Sequence, residues 1–275
     1  MLLRIMRNNF LFSIGVVVCI LWIVTAFVAP LIAPYNFLEQ DIASRFQGPS
    51  VLHWFGTDSI GRDVFSRVLV GSRISLLAGL VTITLASFVG MIYGGIAGYI
   101  GGLTDEIMMR LSEMVMAFPG IILAMTIAAA LGPSLYNTLL AMVIIWWPNY
   151  ARLMRSMVIA NKENEYVEAA KSLGASHFRV FFHEILPNSL GPVLVLATLD
   201  FGNAILLFSG LSFLGLGSPP PAPEWGAMVA DGVLNFNYWW IGTFPGLAIL
   251  TMSVGTNFIG DSLRDFLDPR LRKEV

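Results

Sequence analysis

The chain has 275 residues, of which 56% are hydrophobic and 12% are charged, and its formal net charge is −2. Its mean hydropathy of +0.73 lies far above that of a soluble domain, so a water-soluble globular protein is excluded. A single cysteine, Cys19, excludes a disulfide framework and a cysteine zinc site, and neither a metal site nor a nucleic-acid partner is expected.

Long uncharged apolar blocks recur along the chain, beginning with Phe10 to Ala33. A bilayer core about 30 Å thick is crossed by roughly 20 such residues in a helix. The first block is longer than the apolar region of a cleaved signal peptide, so we interpret it as a membrane span. The turn signal at 132–134 divides a later block in two. The predicted fold is an all-α membrane protein with six transmembrane helices, near residues 10–33, 76–100, 107–131, 136–156, 190–215 and 241–260.

The distribution of basic residues predicts the orientation. With a cytoplasmic N-terminus, four of the 16 Lys and Arg residues lie outside and the other twelve lie inside. Because cytoplasmic loops are enriched in Lys and Arg, both termini are expected in the cytoplasm. The expected organisation is an N-terminal span and external amphipathic segment in 1–75, a five-helix core in 76–265 containing a cytoplasmic loop at 157–189, and a cytoplasmic tail in 266–275.

Two external segments are expected. An amphipathic helix is predicted to begin at Asp58 and to lie along the outer membrane surface before the second span. Its apolar residues have helical spacing: Val64, Phe65, Val68 and Leu69. The proline-rich run 219–223 predicts a rigid loop, with Trp225 at the interface. Either segment could dock a partner protein or anchor the chain at the membrane.

Four glycines recur at every fourth residue in and just after the second predicted span: Gly90, Gly94, Gly98 and Gly102. This small-xxx-small pattern predicts close helix packing in lipid, and the alternative interpretation is a glycine hinge.

Asp200 lies about ten residues into the fifth predicted span, where a charge costs about 2.5–3.5 kcal/mol. We therefore expect it to face the bundle or a wet path. One interpretation is a contact to a cationic part of a solute, or a gate. The other is a hydrogen bond to a neighbouring span, for example through Asn203 or a partner chain.

The predicted cytoplasmic loop contains two amphipathic stripes with helical spacing. The first stripe is Tyr166, Ala169, Ala170 and Leu173, and the second is Phe178, Phe181, Phe182 and Ile185. Gly174 is expected to end the first helix, and Pro187 to break the second. Such helices could lie on the membrane surface or dock into a partner, and the small alanines of the first stripe favour docking.

The chain contains no G-x-x-x-x-G-K-[ST] sequence and no Gly-Lys pair, so it has no P-loop for ATP. Its three histidines do not share one side of the predicted membrane, and no catalytic constellation is present. An enzyme is therefore not expected. A transporter must take its energy from a partner or work without ATP.

Several motifs resemble those of ABC importer permeases. Glu168-Ala169-Ala170, followed by Gly174 and by Leu186-Pro187, resembles the family's EAA loop, although Glu184 stands where the family often has isoleucine. Three further blocks resemble the peptide/nickel subfamily, in particular its C-type subunit. They are His53–Asp58 with Gly61–Arg67, Leu211–Gly217 with Pro223–Gly226, and Gly260–Asp265 with Leu267–Pro269.

This resemblance implies a type I ABC importer permease in the bacterial cytoplasmic (inner) membrane, crossing it several times. The implied partners are a homologous permease, two ATPase subunits that hold ATP and Mg, a solute-binding protein and membrane lipid. No cofactor is expected on this chain. Di- or oligopeptides are the expected solutes, with nickel ions, nickel chelates, opines or glutathione as alternatives by the same mechanism. A stand-alone secondary transporter is a more distant alternative.

The resemblance and the topology also imply three groups of functional residues. The ATPase-coupling residues are Glu165, Glu168, Ala169, Ala170, Leu173, Gly174, Leu186 and Pro187. The candidates for the translocation path are Asp200 and Asn203. The candidates for binding-protein docking are Asp58, Arg62, Asp63, Glu224 and Trp225.

Overall fold

The computed structural model describes residues 10–267, and this part of the chain is helical without a named strand. The predicted tail at 266–275 lies almost entirely outside the described residues. We number the helices in chain order. They are α1 (Phe10–Ile32), α2 (Val64–Ile100), α3 (Gly102–Met116), α4 (Gly120–Leu131), α5 (Leu135–Lys162), α6 (Glu165–Ser172), α7 (His177–Phe213), α8 (Trp225–Leu234) and α9 (Trp240–Leu267).

Three of these helices, α1, α2 and α7, are long and apolar enough to cross a membrane. The bent pair α3 and α4 could make a fourth crossing. The predicted spans 136–156 and 241–260 fall within α5 and α9, which have 28 residues each and include more polar side chains. The chain is therefore a multi-pass helical membrane protein, and the six-span topology stays a prediction.

The predicted third span, 107–131, is not one helix. α3 ends at Met116, α4 begins at Gly120, and the two axes meet at 83°. Pro119 precedes α4, and a proline ring disfavours helical geometry in the residue before it. Arg155 of α5 pairs with Asp105 at 2.5 Å and ties α3 to α5.

The separate external helix predicted from Asp58 is also wrong. α2 is continuous over 37 residues, about 55 Å at about 1.5 Å per residue, so it continues through the expected break near residue 75. It begins after Asp63, whose carboxylate accepts the Ser66 N–H at 2.7 Å as an N-cap. Val64 and Val68 are buried against the rest of this chain, because α8 and α9 cover the face expected to meet lipid.

The second helix of the cytoplasmic loop does not break at Pro187. α7 continues from His177 to Phe213, with a π-helical segment at Val180–Ile185. There the Leu186 N–H bonds to the Phe181 carbonyl, five residues earlier. The wider π turn accommodates a proline that would clash in a regular helix.

α2 packs closely along α5 through its glycines. A Cβ at Gly90 or Gly94 would overlap Tyr150 or the backbone of Ala151, and one at Gly98 would lie 2.9 Å from the Arg155 carbonyl oxygen. The packing role predicted for these three is confirmed. Gly102 differs, because its φ is +59° and nothing lies within 4 Å of its Cβ position.

Candidate functional site

The first helix of the predicted coupling loop is α6, and it ends at Gly174 as expected. Gly174 has a φ of +83°, the left-handed conformation that glycine adopts without strain. Its N–H donates to the Lys171 carbonyl at 2.9 Å, and the Ala175 N–H donates to the Ala170 carbonyl at 3.1 Å. These two bonds form a Schellman motif, which fixes the angle at which the chain leaves α6.

The two faces of α6 differ in burial. Val167 is fully buried and Ala170 is partly buried against the helix core, so this side rests on the protein's own spans. The other side faces outward, with Leu173 89% exposed and Tyr166 39% exposed. The exposed residues of this face are Glu165, Tyr166, Glu168, Ala169 and Leu173. An exposed leucine beside a small alanine is an apolar surface that this chain leaves uncovered.

The second stripe also divides between two environments. Ile185 is buried, and the Phe181 ring packs edge-on against Tyr99 of α2 at 5.3 Å. In contrast, Phe178 is 69% exposed and Phe182 is 43% exposed. Of the motif residues that follow, Leu186 is half-buried and Pro187 is exposed. The stripe therefore attaches the start of α7 to α2 and leaves two phenylalanines on the surface.

A hydrogen-bonded contact joins the loop to the end of α2. The Tyr99 hydroxyl donates to the His177 carbonyl at 3.1 Å, and the Lys162 ammonium donates to the Tyr99 carbonyl at 2.7 Å. The C-termini of α2 and α5 thus meet the loop at one place. Any displacement of α6 and the start of α7 would therefore be transmitted directly to α2 and α5.

Asp200 lies on α7 and accepts a hydrogen bond from the Tyr150 hydroxyl of α5 at 2.9 Å. Asn203 and Trp146 also lie close to this carboxylate. The two predicted path residues lie three positions apart on α7, beside Trp146 and Tyr150 of α5, and of these the sequence did not single out Tyr150. Only the position of Tyr150 on the neighbouring span α5 could have suggested it, because aromatic residues are common in membrane spans. An interhelical hydrogen bond is present, and a role in the path stays a prediction.

The charged residues around Asp58 lie beside the N-terminus of α2, at the opposite end of that helix from α6. The Asp58 carboxylate is 2% exposed and pairs with Arg62 at 2.6 Å and with Arg67 at 3.7 Å. Asp63 is 3% exposed and contacts the His53 ring at 2.9 Å. Their partners belong to this chain, so these carboxylates organise the loop before α2.

Glu224 and Trp225 hold α8 against α2. The Glu224 carboxylate accepts the N–H groups of Gly226 and Ala227 at 2.9 Å each, which caps α8. The Trp225 indole donates to the Val68 carbonyl at 2.9 Å. Both side chains are fully buried. Burial raises the pKa of Glu224, and its bonds to the two N–H groups oppose that shift.

A cavity of about 540 Å³ lies between the Asp58 loop, the end of α7 and α8. Its charged lining residues are Asp58, Arg62, Arg67 and Asp231. Asp231 accepts a hydrogen bond from the Ser59 hydroxyl at 3.2 Å. Burial, followed by the nearby Asp58 carboxylate, raises the pKa of Asp231. The cavity presents charges of both signs at this end of the molecule.

The long apolar helices define a multi-pass membrane protein, and the amphipathic helix α6 is left uncovered at one end of it. The chain belongs to the family described as binding-protein-dependent transport system inner membrane component, which its residues 90–273 match. Residues 1–49 match the N-terminal TM domain of oligopeptide transport permease C. The expected family is confirmed.

Curated relatives align with nearly the whole chain. The dipeptide transport system permease protein DppC of Alkalihalophilus pseudofirmus is 44% identical over 97% of this chain and 88% of its own length. The probable D,D-dipeptide transport system permease protein DdpC of Escherichia coli is 45% identical over 92% and 86%. The glutathione transport system permease protein GsiD of Pectobacterium atrosepticum is 40% identical over 98% and 90%.

A solved structure shares the fold. The crystal structure of an amino acid ABC transporter with histidines matches 76% of this chain and 94% of its own, with a TM-score of 0.55 and 16% identity. At that identity the likeness shows the arrangement of helices alone.

Proposed function

We propose that this chain forms the membrane path of an ATP-driven importer for di- or oligopeptides in the bacterial cytoplasmic membrane. The observation that carries the proposal is the similarity to dipeptide permeases over nearly the full chain, 44% identity over 97% of it.

In the proposed topology the chain crosses the membrane six times with both termini in the cytoplasm. α5 and α9 serve as spans in addition to α1, α2 and α7, because 28 helical residues exceed the roughly 20 needed. The bent pair α3 and α4 provides the remaining crossing. The loop around α6 then lies in the cytoplasm, and the cavity beside Asp58 opens outward.

Coupling to ATP hydrolysis occurs through α6. Two partner ATPase subunits bind ATP and Mg, and the exposed face with Tyr166, Ala169 and Leu173 enters a groove in one of them. Val167, buried on the opposite side, carries the motion into the spans. This assignment is supported by an exposed leucine and a small alanine on a helix face that this chain leaves uncovered.

A homologous permease completes the path, and rocking of the two halves gives alternating access. Asp200 and Asn203 lie along that path in this proposal. A binding protein delivers the peptide at the outer end. Since Asp58, Asp63, Glu224 and Trp225 are buried, they shape this end, and a docked protein would touch exposed neighbours such as Trp54, which is 61% exposed.

Reconstitution tests the proposal. The chain, its partner permease, the ATPases and the binding protein are placed in liposomes, and uptake of a labelled dipeptide is measured with and without ATP. Uptake that requires ATP and is competed by other dipeptides is expected. If only glutathione or nickel chelates compete, the assignment of a dipeptide as the solute is wrong and the competing compound takes its place. Uptake driven by an ion gradient without ATP would contradict the mechanism.

A further inference from the structure

An apolar groove of about 690 Å³ runs between α2 and the start of α7. Its walls are large side chains that are 41–69% exposed. They include Phe88, Ile92, Ile96, Ile100, Phe178 and Phe182. The groove is therefore an uncovered surface between two long apolar helices, next to the π-helical segment of α7.

One end of the groove is basic. A second cavity, of about 370 Å³, shares Tyr99, Ile100 and His177 with the groove and adds Lys162 and Lys171. Lys171 has no salt bridge among residues 10–267. Lys162 and Lys171 also line a neighbouring depression that contains Asp105, Glu163 and Glu168. Among the described residues no ion pair joins either lysine to these carboxylates, and Asp105 pairs with Arg155. Two ammonium groups and an imidazole thus stand where the apolar walls end.

The length of the groove matches one leaflet of a bilayer. From Phe88 to Ile100 the α2 wall rises about 18 Å at about 1.5 Å per residue. Half of a hydrocarbon core about 30 Å thick is about 15 Å. With the proposed orientation, on which this step rests, the basic end lies at the cytoplasmic headgroups.

We propose that this groove binds an anionic glycerophospholipid of the cytoplasmic leaflet. Its acyl chain lies along α2 and α7, and its phosphate contacts Lys171, Lys162 and His177. A basic pocket between helices at the cytoplasmic side is a recurring headgroup site. An apolar helix of the partner permease would fill the walls but would bring no anion to the two ammonium groups.

This lipid touches the coupling machinery. Lys171 belongs to α6 and His177 begins α7, and the Schellman turn at Gly174 joins the two. A phosphate held between them fixes the angle between α6 and the spans. The composition of the membrane thereby affects how firmly α6 is held.

The experiment uses the chain purified in mild detergent with its partner subunits, stripped of lipid and titrated with phosphatidylglycerol or phosphatidylcholine of equal acyl length. Native mass spectrometry measures the bound lipid. We expect preferential binding of phosphatidylglycerol, weakened about fivefold by Lys171→Gln, the effect typical of one basic side chain near an anionic surface. Ile96→Trp, which fills the groove without changing charge, should reduce binding of both lipids. Arg264→Gln, exposed on α9, is the control and should leave binding unchanged.

A photo-reactive benzoylphenylalanine at position 182 identifies the occupant of the groove directly. In native membranes, a cross-linked adduct with the mass of a phospholipid is expected. A cross-link to the partner permease would overturn the proposal in favour of a helix–helix contact. Equal retention of the two lipids, unaffected by Lys171→Gln, would also overturn it. Neither result would bear on ATP-driven peptide uptake.

Discussion

At the scale of single residues, Gly94 shows how closely two spans approach. Its Cα faces the backbone of Ala151, so Gly94→Val should force α2 and α5 apart and lower stability by about 1–3 kcal/mol. Thermal unfolding of the purified chain in detergent, followed by tryptophan fluorescence, measures this loss. Gly210→Val is the matched control, since nothing lies within 4 Å of the Cβ position of Gly210. An equal effect of the two substitutions would contradict the packing role.

The charge of Asp200 can be separated from its hydrogen bond. Asp200→Asn removes the charge but keeps an oxygen that can accept the Tyr150 proton, whereas Tyr150→Phe removes the bond and keeps the charge. If the carboxylate acts in the path, Asp200→Asn should lower dipeptide uptake severalfold with normal assembly. Full uptake by Asp200→Asn would rule out a role of the charge in the path and leave Asp200 with its structural hydrogen bond to Tyr150. In that case Tyr150→Phe should be the variant that assembles poorly.

The sequence predicted Asp200 but not its partner. A lone carboxylate in an apolar block is conspicuous, because a charge is costly there. Tyr150 carries no such signal. Similarly, the residues around Asp58 were placed on a docking surface because the predicted topology puts this polar motif outside the membrane, yet Asp58, Asp63 and Glu224 are buried. Polarity indicates that a residue has a partner and does not indicate which molecule supplies it.

At the scale of helices, local sequence signals predicted where a helix ends more accurately than whether it continues. Gly174 ends α6 because a left-handed residue closes the Schellman bonds locally. Pro119 breaks a block that hydropathy alone assigned to one span. Pro187 does not break α7, because the preceding π segment accommodates it. Whether α2 continues past residue 75 depends on α8 and α9 packing against it, and local spacing contains no information on that contact.

The exposed face of α6 leads to a prediction about coupling. Leu173→Arg places a charge on a side chain that is 89% exposed, so the chain should fold and assemble in the membrane. If this face docks into an ATPase, peptide uptake should fall at least tenfold while the ATPases still hydrolyse ATP. Glu168→Arg, on the same face, should act similarly.

The control for this prediction is Leu103→Arg, a leucine of α3 that is 71% exposed. It should leave the ratio of peptide imported to ATP hydrolysed unchanged. Normal uptake by Leu173→Arg would show that this face of α6 is not part of the coupling interface. A comparable loss from Leu103→Arg would show a general effect of charge on this side of the membrane.

At the scale of the whole molecule, the distribution of charge predicts orientation, and the structure supplies positions that test it. Cys19 is buried, so Cys19→Ser gives a cysteine-free background. Leu52 is 72% exposed before α2, and Leu173 is 89% exposed at the far end of the helices. In intact cells, a thiol reagent that does not cross membranes should label Leu52→Cys at once. It should label Leu173→Cys only after the membrane is permeabilised, because the positive-inside rule places α6 in the cytoplasm. The reverse pattern would invert the topology and place α6 away from any ATPase, while equal labelling in intact cells would show that the two positions share one side.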